Sequence, residues 1–110
     1  MFFENNLFWI GVVFMICGMF MYYFPPKKIN SLYGYRTANA MKSQKRWDFA
    51  QKYSVKYMFF LGFIYVVITT LFSFTALGES QAVILGLGLL ILMVILLFII
   101  VEIKIKKKFK

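Results

Sequence analysis

The chain has 110 residues, enough for one compact unit, and 62% of them are hydrophobic and 21% aromatic, with a mean hydropathy of +0.76. Thirteen Lys/Arg and four Asp/Glu give a net charge of +9, and they sit in clusters that cannot coat a core against water, so a soluble domain is excluded and lipid is the expected solvent. There is no His and one cysteine, Cys17, which excludes His-based catalysis, His metal sites and an intramolecular disulfide.

The first element is an uncharged apolar run over 7–24, bounded by Pro25-Pro26, which stops a helix. A signal peptide is the competing reading. It needs a basic flank, whereas Glu4, Asn5 and Asn6 precede this run and no small-residue cleavage site follows it, so the segment is expected to stay in the mature protein. Cys17 lies inside the run and reads as a small packing residue.

The second and third runs cover about 57–77 and 82–101. Each is about twenty residues, or roughly 30 Å of helix, which matches the hydrocarbon thickness. Gly78-Glu79-Ser80-Gln81 between them reads as a tight turn, so these spans should form an antiparallel hairpin. The expected fold is therefore an all-α membrane protein of one domain, 1–110. It has three transmembrane helices, a structured and partly helical loop over 25–56, and a basic tail over 102–110.

Charge sets the orientation. Lys27, Lys28, Arg36, Lys42, Lys45, Arg46, Lys52 and Lys56 lie in the loop, and Lys104, Lys106, Lys107, Lys108 and Lys110 in the tail. The amino-terminal flank and the 78–81 turn have none. The positive-inside rule puts loop and tail in the cytoplasm and, with three spans, the amino terminus outside. The expected partners are anionic lipid headgroups. Nucleic acid is the rival partner for so basic a chain, but the cations flank apolar runs and no zinc-finger, helix-turn-helix or RNP pattern is present, so it is not expected. No cofactor or metal is expected either.

Lipid supplies no hydrophobic force between helices, so small residues should mark the contacts. Gly11 and Gly18 share a face of the first span, Gly62 sits in the second, and Ala82, Gly86 and Gly88 in the third. The partner is a neighbouring span or a second copy of the chain.

The chemically specific residues lie in the loop. Ser43 is an expected N-cap, and no Gly or Pro follows until Gly62, which predicts one helix running from the loop into the second span. At 100° per residue Trp47, Ala50, Ser54, Tyr57 and Met58 share one face, with Lys45, Asp48, Lys52 and Lys56 opposite and Phe49 out of pattern. Asp48 and Lys52 are an i,i+4 pair of favourable order. The plainest reading is a solvated helix end with Trp47 as an interfacial anchor.

Upstream, the Gly and Asn residues of 28–39 predict tight turns. Gly34 permits positive φ, Arg36 offers a rigid fork for phosphate or carboxylate, Asn30 and Thr37 add neutral hydrogen-bonding groups, and Tyr33 and Tyr35 suit headgroup depth. Two readings stay open: a basic-aromatic loop resting on the membrane, and a specific anion site.

The string Ile29-Asn30-Ser31-Leu32-Tyr33-Gly34-Tyr35-Arg36-Thr37, followed by Trp47-Asp48-Phe49-Ala50, resembles the SdpI family of bacterial membrane proteins. That family's pattern is N-x-x-x-G-Y-R-T, a short spacer, then W-x-x-A, which falls here on Asn30, Gly34, Tyr35, Arg36, Thr37, Trp47 and Ala50. The resemblance is close over 25–56, and its setting of one apolar span before and two after covers the rest. It implies a bacterial plasma-membrane protein. The family's namesake protects its producer from a secreted, membrane-active toxic peptide and also recruits a transcriptional repressor. The present chain resembles the carboxy-terminal half of that longer protein.

Three functions follow for weighing. The first is immunity to a membrane-active peptide, with Arg36 holding an anionic group framed by Tyr35 and Trp47. The second is an accessory subunit of an envelope complex that binds an anionic lipid or polyprenyl phosphate through the same loop. The third, a transporter, channel or enzyme, lacks support. No ionisable residue lies deep in a span, and no nucleophile-base pair or two-carboxylate constellation is present. Glu102, at the end of the third span, is read as a neutralised helix end or as an ion-pair partner of Arg36 or Lys28, and Asp48 as the other acid within reach.

Overall fold

The computed structural model describes residues 6–109. Glu4 and Asn5 of the amino-terminal flank, and Lys110 of the basic tail, lie outside them. The described chain is helical, with three α-helices, α1 (Phe8–Tyr23), α2 (Gln44–Phe72) and α3 (Glu79–Lys108), and a 3-10 turn at Ala40–Lys42. It is an elongated body of 49 × 26 × 20 Å.

Local chemistry sets the helix ends. α1 stops where Pro25 and Pro26 forbid another turn, with the Phe24 N–H still bonded to the Phe20 carbonyl (2.8 Å). α2 starts at Ser43, whose Oγ accepts the Arg46 N–H (3.2 Å), and runs unbroken for 29 residues. It ends at Phe72, short of the expected 77. There the Thr75 hydroxyl donates to the Phe72 carbonyl (2.8 Å), satisfying a terminal acceptor with a side chain instead of a further turn. The expected turn at 78–81 moves upstream for a related reason. The Gly78 N–H is accepted by Gln81 Oε1 (3.1 Å), so Glu79, Ser80 and Gln81 form the first turn of α3. α3 then continues through the expected tail to Lys108, placing Lys106, Lys107 and Lys108 in its last turn, where cations favour the helix dipole.

α2 and α3, with 29 and 30 residues, are long and apolar enough to cross a membrane. α1 has 16 residues, about 24 Å at 1.5 Å per residue, and falls below that length. Large side chains such as Trp9, Phe60, Phe63, Ile84 and Ile91 face outward around all three helices. An apolar exterior of this extent is stable in lipid and not in water.

α2 is the central helix, with α1 antiparallel on one side and α3 antiparallel on the other. Small residues make the first contact possible. A Cβ on Gly11 would lie 2.6 Å from the Gly62 carbonyl oxygen, and one on Gly62 2.8 Å from the Gly11 oxygen. Gly86 receives the Leu7 side chain, and Ala82 is fully buried. Gly88 differs from the expectation, because a Cβ there would meet nothing within 4 Å. Two residues from Gly86 is about 200° around the helix, so Gly88 faces outward. Cys17 is also exposed, on the outer surface of α1, and is not a packing residue.

Candidate functional site

Between α1 and α2 the chain folds into a cap over one end of the bundle. After Pro26 it turns on Asn30, whose Oδ1 accepts the N–H groups of Leu32 (2.9 Å) and Tyr33 (2.7 Å) while Nδ2 donates to the Lys28 carbonyl (3.0 Å). Tyr33 donates its hydroxyl to the Phe24 carbonyl (2.6 Å) and sets its ring edge-on to Phe20, which ties the turn to the end of α1. Gly34 has φ +109°, a conformation open to glycine and costly for other residues. A Cβ there would also lie 2.7 Å from both Gln51 Oε1 and Pro26 Cγ.

That close approach lets Gln51 grip the backbone. The Tyr35 N–H donates to Gln51 Oε1 (2.7 Å), and Gln51 Nε2 donates to the Tyr35 carbonyl (2.6 Å). One buried amide thus satisfies both polar groups of a buried residue, as a neighbouring strand would. Trp47, on the preceding turn of α2, donates Nε1–H to the Pro26 carbonyl (2.5 Å), and Gln44 Nε2 donates to the Lys27 carbonyl (2.6 Å). Trp47 is fully buried, so it locks the loop to the helix and is not an interfacial anchor. Ala50 and Ser54 are fully buried on the same side, and Lys45, Asp48, Lys52 and Lys56 are exposed.

From Tyr35 the cap reaches α3. The phenol stacks near Phe98, with ring centroids 5.4 Å apart, and donates to Glu102 Oε1 (2.9 Å), while Asn39 Nδ2 donates to Glu102 Oε2 (2.7 Å). The Thr37 hydroxyl accepts the Ala40 N–H (3.2 Å) and begins the 3-10 turn. Burial and the bond to Glu102 push the Tyr35 phenol well above its ordinary pKa. Burial pushes the Glu102 carboxyl upward too, but hydrogen bonds from Thr37, Asn39 and Tyr35 and the charge of Lys106 outweigh it, and the net shift is downward. Tyr35, Ala40, Ala50, Leu97, Val101 and Ile105 form the core of this end.

Two sequence expectations about charge are corrected here. Among the described residues Glu102 pairs with neither Arg36 nor Lys28; Tyr35 and Asn39 donate to its two oxygens instead. Asp48 makes no ion pair with Lys52; its Oδ1 accepts from Gln44 Nε2 (2.8 Å), which also reaches back to the loop. Among the described residues there is no group of His, Cys, Asp and Glu able to hold a metal ion. Gln44, Gln51 and Asn39 were not singled out from the sequence. For Gln51 a signal existed, since it lies 40° from Trp47 on the buried side of α2, where a polar residue needs a partner.

Of the motif residues, Asn30, Gly34, Tyr35, Thr37, Trp47 and Ala50 are used in turns, caps, hydrogen bonds and packing within the cap. Arg36 stands apart. It is exposed, and its hydrogen bond runs from Nε to the Asn30 carbonyl (3.2 Å), which leaves the terminal nitrogens without a partner among the described residues. The arrangement holds no nucleophile beside a base. Its chemical offer is a guanidinium on a rigid mount, suited to an anionic oxygen group.

Residues 27–101 match the SdpI/YfhL protein family. A stretch of 54 residues is 43% identical to an uncharacterized protein YfhL of Bacillus subtilis (strain 168), covering 49% of this chain and 49% of that protein, so the match spans about half the relative's length. No solved structure matches.

Proposed function

The chain belongs to the SdpI/YfhL protein family, and from that premise we propose that it is a three-span plasma-membrane protein protecting a bacterium against a membrane-active toxic peptide. α2 and α3 supply two spans by length and composition, and α1 the third, tilted less or thinning the bilayer locally to match its shorter length. The loop and the end of α3 carry the cations, while the 73–78 link and the first turn of α3 have none, which favours a cytoplasmic cap and an external amino terminus.

The observation that carries the proposal is the division of labour within the motif. Six of its residues build and fasten the loop, and Arg36 is exposed, bonded through Nε alone among the described residues. In the proposed mechanism Arg36 engages an anionic group, either on the toxin or on the lipid the toxin requires. Tyr35 and Trp47 act from beneath, by fixing the backbone that displays it. The test is survival of a sensitive bacterium challenged with a panel of membrane-active peptides. Wild type should protect. Arg36→Ala should abolish protection with the protein still in the membrane and its stability changed by less than about 1 kcal/mol, as for an exposed residue. Equal survival with and without the protein across the panel contradicts the proposal.

A further inference from the structure

A groove of about 930 Å³ opens between the carboxy-terminal half of α1 and the amino-terminal half of α2. It reaches from Gly18 and Phe59, where the helices touch, to Lys27 and Gln44 beside the cap. Along α2 this is about 22 Å at 1.5 Å per residue, against roughly 15 Å of hydrocarbon in one leaflet. Met21, Val55 and Phe59 give it an apolar wall, and three lysines line it, Lys52 and Lys56 one turn apart on α2 and Lys27 at the cap end beside Gln44. Among the described residues Asp48 is the one acid lining it, and its carboxylate is engaged by Gln44. None of the three lysines makes an ion pair among the described residues.

An apolar trough lined by three cations against one carboxylate among the described residues is complementary to an amphiphile with an anionic head. A second copy of a chain with net charge +9 is a poor occupant, because its own basic loop would meet those lysines. We propose that the groove binds one anionic phospholipid, its phosphate between Lys27, Lys52 and Lys56 and an acyl chain along Met21, Val55 and Phe59. Arg36 does not line the groove, so this site is separate from the one displayed by the motif. It rests on the membrane placement of the chain and not on toxin protection.

The experiment uses the full chain in nanodiscs of mixed phosphatidylglycerol and phosphatidylcholine, with bound lipid read by native mass spectrometry after gentle release. Wild type and Arg36→Ala should each retain one phosphatidylglycerol. The triple variant Lys27→Gln, Lys52→Gln, Lys56→Gln should retain at least about tenfold less, while a control losing equal charge elsewhere (Lys42→Gln, Lys45→Gln, Lys107→Gln) should retain it as wild type does. Phosphatidylglycerol with a photoreactive acyl chain should label the wild-type peptides containing Met21 or Phe59, a result that needs no variant. Equal loss in both triple variants, equal retention of phosphatidylcholine, preference for an added polyprenyl monophosphate, or labelling confined to α3 would each overturn the assignment.

Discussion

At the capped end of the bundle, hydrogen bonds fix one element to the next: Trp47 to Pro26, Gln51 to both polar groups of Tyr35, and Tyr35 and Asn39 to Glu102. At the far end, α1 and α2 meet backbone to backbone at Gly11 and Gly62, and α3 is joined by Leu7 seated over Gly86 and by the Tyr65 hydroxyl on the Gly86 carbonyl (2.9 Å). The contrast follows from the solvent. Apolar side chains gain nothing by leaving lipid for protein, so the far end relies on close fit between small residues. The cap has polar backbone that must be satisfied away from water, and the side chains that satisfy it also fix its shape. A shape held in this way can present one side chain, Arg36, in a constant position.

The largest effect is expected where the cap admits no side chain. Gly34→Ala adds a Cβ 2.7 Å from Gln51 Oε1 at φ +109° and should cost about 3 kcal/mol, from backbone strain and loss of the Gln51 pairing. Unfolding in mixed micelles, followed by Trp47 fluorescence with Trp9 replaced by Phe, measures it. A cost near zero would mean the Gln51–Tyr35 pairing does not hold the cap.

A smaller effect is expected at the far end. Gly62→Ala puts a Cβ 2.8 Å from the Gly11 oxygen and should cost about 2 kcal/mol, the range for overpacking against a backbone that cannot yield freely. Gly88→Ala is the same substitution in open surroundings and should leave stability unchanged or raise it by up to about 1 kcal/mol through helix propensity. Equal costs in the same assay would remove close fit as the explanation for this end.

The smallest effect is the pH dependence of the link between cap and α3. Glu102 titrates below its ordinary range in the fold, so its ionised form stabilises the protein above the unfolded-state pKa. That contribution is lost as pH falls through the carboxylate range toward the lowered folded value. Melting temperature should therefore decline on the acid side in wild type and more shallowly in Glu102→Gln. Parallel pH profiles would place the stabilising charge elsewhere.

What could be read from the sequence was what is local in the chain. The Ser43 cap and the uninterrupted helix into the second span depend on neighbours within a few residues, and both could be read before the fold was known. The ends of α2 and α3 were displaced because Thr75 and Gln81 compete for backbone groups, which apolar run length does not register. The Gln51–Tyr35 pairing spans sixteen positions, and the Tyr35–Glu102 bond sixty-seven. Both depend on how the helices lie side by side. Arg36 is legible from its residue type, but its separation from Glu102 depends on the fold, which turns Tyr35 and Asn39 onto that carboxylate.

Thiol labelling in intact cells tests the placement of the cap at the inner face most directly. With Cys17 replaced by Ser, Leu32→Cys puts a thiol on an outward side chain of the cap, 92% exposed, and Ser80→Cys puts one at the opposite end of the bundle. A membrane-impermeant maleimide should label Ser80→Cys at once and Leu32→Cys only after the cells are opened. Immediate labelling of Leu32→Cys in sealed cells would place Arg36 outside and contradict the account.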